Sequence, residues 1–104
     1  MRIVISTCKP EEAELIADTL LNERLISSCN IVPGVITKVR FKGEALSQQE
    51  NLLIMRTRAE YVWKLERRML ELNSFEIPEV ATLEVKEWND AYIKWIYGQT
   101  EPVE

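Results

Sequence analysis

The chain contains no histidine in its 104 residues. That absence removes the usual general base near neutral pH and the commonest side-chain ligand for transition metals. Neither a Ser-His-Asp triad nor a Cys-His pair can be assembled from it. Glycine (three) and proline (four) are scarce, and no glycine-rich stretch of the kind that cradles phosphate is present. Cys8 and Cys29 are the only two cysteines, too few for a disulfide framework, and are expected as free thiols. No apolar run approaches the roughly 18 residues that a membrane span needs. Met1-Arg2 is followed only by the short run Ile3-Val4-Ile5, unlike a signal peptide, so a cytoplasmic location is expected. A basic block is missing as well: 13 Lys and Arg stand against 17 Asp and Glu, a net charge of -4. Apart from Arg67-Arg68 the basic residues are dispersed, which argues against nucleic acid as a partner.

What is present suits one folded domain over residues 1–104, with 46% hydrophobic and 29% charged residues. "RIVISTC" (2–8) reads as a strand rich in β-branched residues. Pro10 opens a helical segment that runs to residue 24. Glu11, Glu12 and Glu14 sit in its first turns, where the helix dipole favours carboxylates, and Ala13, Ile16, Ala17, Leu20 and Leu21 form an apolar stripe. From Leu25 to Gly43 the pattern is extended. Val35, Thr37, Val39 and Phe41 point one way, with Ile36, Lys38 and Arg40 opposite. Pro33-Gly34 reads as a bulge or bend within this long strand, and a turn is expected at 43–48. "ENLLIMRTR" supplies a further strand, with Glu50, Leu52, Ile54 and Arg56 on one face. Residues 59–72 predict a second amphipathic helix on Val62, Leu65, Met69 and Leu72. After a connector, residues 79–87 alternate as a strand with Ala81, Leu83 and Val85 inward. Asn89 is placed as the N-cap of a last helix, Asp90–Tyr97, stopped by Gly98. The tail from Thr100 is expected to fray.

The order β-α-β-β-α-β plus a terminal helix predicts an α+β, ferredoxin-like sandwich: an antiparallel sheet, long bent hairpin strands, helices on one face and a C-terminal helix. The other sheet face would keep apolar residues uncovered, so oligomerisation is expected.

The chemical constellations are weak on their own. Cys29 reads as a small packed side chain, with a metal or reactive role as the alternative. Cys8 lies just before a helix N-terminus, which can lower a thiol's pKa, so it is the better candidate nucleophile. Trp88, Tyr92 and Trp95 fall on one helix face and read as packing residues.

Taken together, "NIVPGVITKVRFKG", "ENLLIMRT", "IPEVATLEV" and "DAYIKWI" resemble the CutA family of divalent-cation tolerance proteins, over nearly the whole chain. Cys29, Asn30, Pro33 and Gly34 match one family motif, Glu50 with Met55-Arg56-Thr57 a second, and Pro78-Glu79-Val80 and Tyr92-Ile93 with Trp95 two more. The aromatic Tyr-x-Trp-x-Gly pattern is met only loosely, by Val39, Phe41 and Gly43. The resemblance implies a non-enzymatic homotrimer involved in the response to metal ions, with hairpin strands joined between subunits. It also implies copper or another divalent cation as a ligand. The family's proposed ligands include a first-strand cysteine and a histidine, however, and here those places hold Ser6 and "NSF" (73–75). Cys8 and Cys29 are the remaining metal candidates. A second expectation is a PII-like small-ligand sensor, with Glu50, Arg56, Glu79 and Trp95 lining a cleft between subunits.

Overall fold

A computed structural model describes residues 1–100 of the chain. β1 (Arg2–Cys8) leads through a 3-10 turn at Pro10–Glu12 into α1 (Ala13–Asn22). β2 (Ser28–Phe41) and β3 (Glu44–Thr57) form a hairpin of two 14-residue strands. A second 3-10 turn, Ala59–Tyr61, precedes α2 (Val62–Leu72), and β4 (Ala81–Glu84) and α3 (Asp90–Gln99) follow. The sheet order is β2-β3-β1-β4, antiparallel throughout. This is the expected ferredoxin-like α+β arrangement.

The core lies between this sheet and the two main helices. Val4 and Cys8 of β1 and Leu53 and Met55 of β3 meet Ala13, Ile16 and Leu20 of α1 and Leu65 and Met69 of α2, all buried. Leu21, expected in the α1 stripe, is instead 39% exposed, because it lies at the flank of the buried stripe. α1 ends in a Schellman arrangement that the sequence does not announce. The Leu25 N–H donates to the Leu20 carbonyl and the Arg24 N–H to that of Leu21, with Arg24 at φ 59°. Arg68 then clamps α2 to this end of α1, donating to both carboxylate oxygens of Glu23 at 2.8–3.1 Å.

The hairpin departs from expectation at its tip. Phe41 pairs directly with Glu44, so the turn is only Lys42-Gly43, at φ 52° and 80°. Two positive φ values suit a two-residue turn whose twist matches that of the strands. Of the turn expected at 43–48, residues 44–48 are therefore strand. At Pro33-Gly34 the bulge is present: Val32 pairs with Leu52 and Val35 with Glu50, so two β2 residues oppose Asn51 alone. The extra residue inverts the alternation of β2. Ser28, Asn30 and Val32 share a face with the even-numbered residues of β3, whereas beyond the bulge Val35, Thr37, Val39 and Phe41 do so. Gly34 adopts φ +71° with nothing within 4 Å of an added Cβ, so backbone conformation alone opposes substitution. Gly34→Ala is expected to cost about 1–2 kcal/mol, read as a lower urea midpoint with unchanged m-value; an unchanged midpoint would refute the strain argument.

Two further expectations need correction. β4 is shorter than 79–87, and Ala81 and Leu83 pair with Ile5 and Ile3. The inward set therefore faces the open side of the sheet, away from α1 and α2, and Leu83 is half-exposed. Gly98 does not stop α3, which continues to Gln99; glycine lowers helix propensity without forbidding helix. Thr100, expected to fray, is fully buried, and its hydroxyl donates to the Ile96 carbonyl at 2.8 Å. The rest of the expected frayed tail, 101–104, lies outside the described residues.

Candidate functional site

The parity change at the bulge builds a groove on the sheet face away from the helices. It has a volume of about 460 Å³. Thr37, Val39 and Phe41 of β2, Gln48 and Glu50 of β3 and Thr7 of β1 line it, and Phe75 to Ile77 and Glu79 of the connector close one side. In an unbroken ladder continued from Val32–Leu52, Ile36 rather than Thr37 would stand opposite Gln48, and the hydroxyl that meets Glu50 would be lost from the groove.

Glu50 lies at the floor of the groove. Its carboxylate is buried (the residue is 5% exposed) and one oxygen accepts a 2.8 Å hydrogen bond from the Thr37 hydroxyl. No ion pair neutralises it among the described residues. A buried carboxylate without a cationic partner is costly, so its charge is an unusual feature of this surface. Glu79 lines the same groove from the exposed connector.

Two buried polar residues hold the connector against the sheet. The Asn73 amide donates to the Thr7 carbonyl at 2.8 Å while its oxygen accepts from the Phe75 N–H at 2.9 Å. The Ser6 hydroxyl donates to the Glu79 carbonyl at 2.6 Å. Thr37, Asn73 and Ser6 were not singled out as functional from sequence, since a lone hydroxyl or amide carries no pattern. Ser6, at the family's first-strand ligand place, here bonds to backbone.

The four expected cleft residues separate into three places within one chain. Glu50 and Glu79 share the groove. Arg56 lies on the same strand face as Glu50 but six residues along β3, about 20 Å away, where its guanidinium donates to the Ser28 hydroxyl at 3.2 Å. Trp95 lies on α3, 43% exposed, in an aromatic row with Tyr92 at 5.4 Å and Trp88 beyond it at 5.2 Å from Tyr92.

The two thiols do not behave as expected of reactive groups. Cys8 is fully buried, and its pKa is pushed up from 9.0 to about 11 by burial first and then by Glu12, Glu50 and Glu11. The helix N-terminus is outweighed. Cys29 is likewise raised to about 11, chiefly by burial and then by the nearby Cys8. Protonated thiols are poor metal ligands and poor nucleophiles. Among the described residues, no group of three or more Cys, Asp or Glu side chains comes together as a metal cage. The donor set therefore does not fit a copper centre built within one chain.

Sheet order, helices on one face and a long bent hairpin define a ferredoxin-like α+β protein with an open sheet face. Residues 2–99 match the model of the family described as CutA1 divalent ion tolerance protein. The chain belongs to that family. It is 35% identical over 98 residues to the divalent-cation tolerance protein CutA of Thermus thermophilus, covering 94% of this chain and 95% of that one. Among solved structures it is similar to CutA1 from Pyrococcus horikoshii, with a TM-score of 0.93 and 29% identity over 98% of this chain and 100% of that one. A PII-like protein CutA from Nostoc superposes with a TM-score of 0.92 at 31% identity, covering 97% and 98% of the two chains.

Proposed function

We propose that the protein acts as a non-enzymatic homotrimer of the cytoplasm that takes part in the response to divalent metal ions. The observation that carries the assembly is the overhanging hairpin. β1 pairs with β3 only from Asn51 onward, so residues 44–50 of β3 pair with β2 alone. A bare two-stranded ribbon is marginal in water, and its edges are templates for another strand. Exposed Ile36, Ile77 and Leu83 (69%, 75% and 50%) add apolar surface that association would cover. The cytoplasmic placement agrees with two unpaired thiols and with the lack of any described helix long and apolar enough to cross a membrane.

The metal response is not routed through a tight copper centre within one subunit, because two protonated thiols, Cys8 buried and Cys29 half-buried, do not make one. Light scattering of dilute native protein is expected to give three times the 12.1 kDa chain mass. Titration with Cu(I) and Cu(II) at neutral pH is expected to show no tight one-per-chain isotherm. A 12 kDa particle would remove the assembly, and a saturable stoichiometric isotherm would restore Cys8 and Cys29 as ligands.

A second reading is favoured by the uncompensated Glu50 at the floor of the groove: a PII-like small-ligand sensor. The trimer would extend the groove into a cleft to which a neighbour's Trp95 could contribute. A thermal-shift screen of metabolites tests it, since a ligand that prefers the folded state raises the melting temperature.

A further inference from the structure

The groove has a definite chemical preference. Its deepest charged group, the Glu50 carboxylate, has one oxygen held by Thr37 and no cation beside it. Glu79 adds a second negative group at the rim, and Glu76 a third, although the latter is 3.4 Å from Lys42. The walls are Val39, Phe41, Phe75 and Ile77; the Phe41 ring already carries the Lys42 ammonium at 5.4 Å, which leaves Phe75 as the free ring. Arg40 is the one cationic side chain lining the groove; it is exposed, also borders a shallower depression between Lys38 and Ser47, and pairs with neither carboxylate.

We propose that this groove binds a small organic ammonium ion, with Glu50 and Glu79 as the charge partners and Phe75 as the flanking ring. The inference rests on the small-ligand reading above and narrows its ligand class. Three candidate classes can be ranked on the observed groups. An anion would meet the field of Glu50 at the floor and gain only an exposed arginine. A bare divalent ion requires several oxygen ligands in a fixed shell, yet the groove supplies two carboxylates and hydroxyls between apolar walls that give it nothing. An alkylammonium suits these groups best: the charge pairs with the buried carboxylate in a charge-assisted hydrogen bond, the Phe75 ring adds a cation–π attraction, and Val39 and Ile77 cover its methylenes. The Thr37 hydroxyl orients Glu50 so that its second oxygen remains available.

The test uses the intact protein with 1,4-diaminobutane and butylammonium as probes, in calorimetry and thermal shift. Parallel arms use magnesium, copper and an anionic nucleotide. Saturable binding of at least one amine is expected, weakened about tenfold or more in Glu50→Gln, which keeps the oxygen that Thr37 bonds. Glu79→Gln is expected to lose several-fold. The melting temperature and mass of each variant without ligand report whether it folds and assembles. Amine binding that Glu50→Gln leaves unchanged overturns the assignment. A shift by the nucleotide or the metals with none by the amines overturns the ammonium class while leaving the sensor reading in place. No shift by any arm removes both.

Discussion

Arg58→Ala is expected to lower stability by about 3 kcal/mol, with the loss concentrated at α3. Arg58 follows β3 and is nearly buried, with its side chain 12% exposed. Its guanidinium lies over the rings of Tyr61 and Tyr97, 4.9 and 4.6 Å from their centroids. One nitrogen donates to the Tyr97 carbonyl at 2.6 Å and another to the Thr100 hydroxyl at 2.9 Å. The Tyr97 carbonyl belongs to the last turn of α3, where four carbonyls lack helical partners. Arg24 serves the same end from α1, donating to the Gly98 carbonyl at 2.8 Å. Two arginines from distant parts of the chain thus close one helix terminus, and the dipole favours their charge there. Each ring contact contributes about 0.5–2 kcal/mol and each charged hydrogen bond about 1.5–3, not fully additive. For a domain of this size the melting temperature should fall by about 12–24 °C. Arg58→Lys keeps the charge but loses the planar fork and recovers less than half. Hydrogen exchange should show the α3 amides opening first. A loss below about 0.5 kcal/mol, the size of an ordinary surface change, would mean that α3 is held by packing alone.

Alkaline solution should destabilise the protein through its two desolvated thiols, above all the buried Cys8. The Cys8 pKa rises from 9.0 to about 11 on folding because burial and neighbouring carboxylates disfavour thiolate. Below pH 9 both states hold the proton and the thiol has no pH effect. Between 9 and 11 the unfolded chain releases it while the folded chain keeps it. The unfolded state then binds fewer protons, and stability falls as pH rises. Two pKa units correspond to about 3 kcal/mol from Cys8 alone, with Cys29 acting in the same direction. Urea unfolding at pH 8 and at pH 11 measures the drop. Cys8→Ala lowers stability at pH 8 by loss of packing, yet its drop to pH 11 should be smaller by about that amount. An equal drop in both proteins would show that Cys8 ionises as freely folded as unfolded.

Much of the architecture was legible in the chain because hydrophobic periodicity reports burial. Val4, Ile16, Leu20, Leu65 and Met69 recur at the spacing of their elements and are buried. Pro33-Gly34 announced the bulge through the two residues least suited to an unbroken ladder. Periodicity cannot say which face of a sheet is covered, so Leu83 was placed inward when its face is open. Nor does it mark the turn at Lys42-Gly43, since lysine is a rare choice for positive φ. Gly98 misled for the opposite reason: a residue that often ends helices was overruled by Arg24, Arg58 and Thr100.

The site divides along the same line. Glu50 and Glu79 could be nominated from their motifs, and Cys8 and Cys29 from their rarity. Sequence alone determined the element order, the helix-covered core and the family. Whether Thr37 or Ile36 stood beside Glu50, whether the thiols would ionise, and whether Arg56 stood near Glu50 were decided only in three dimensions. Local pattern is written by neighbours a few residues apart, whereas strand register, desolvation and charge pairing depend on groups brought together by the whole fold.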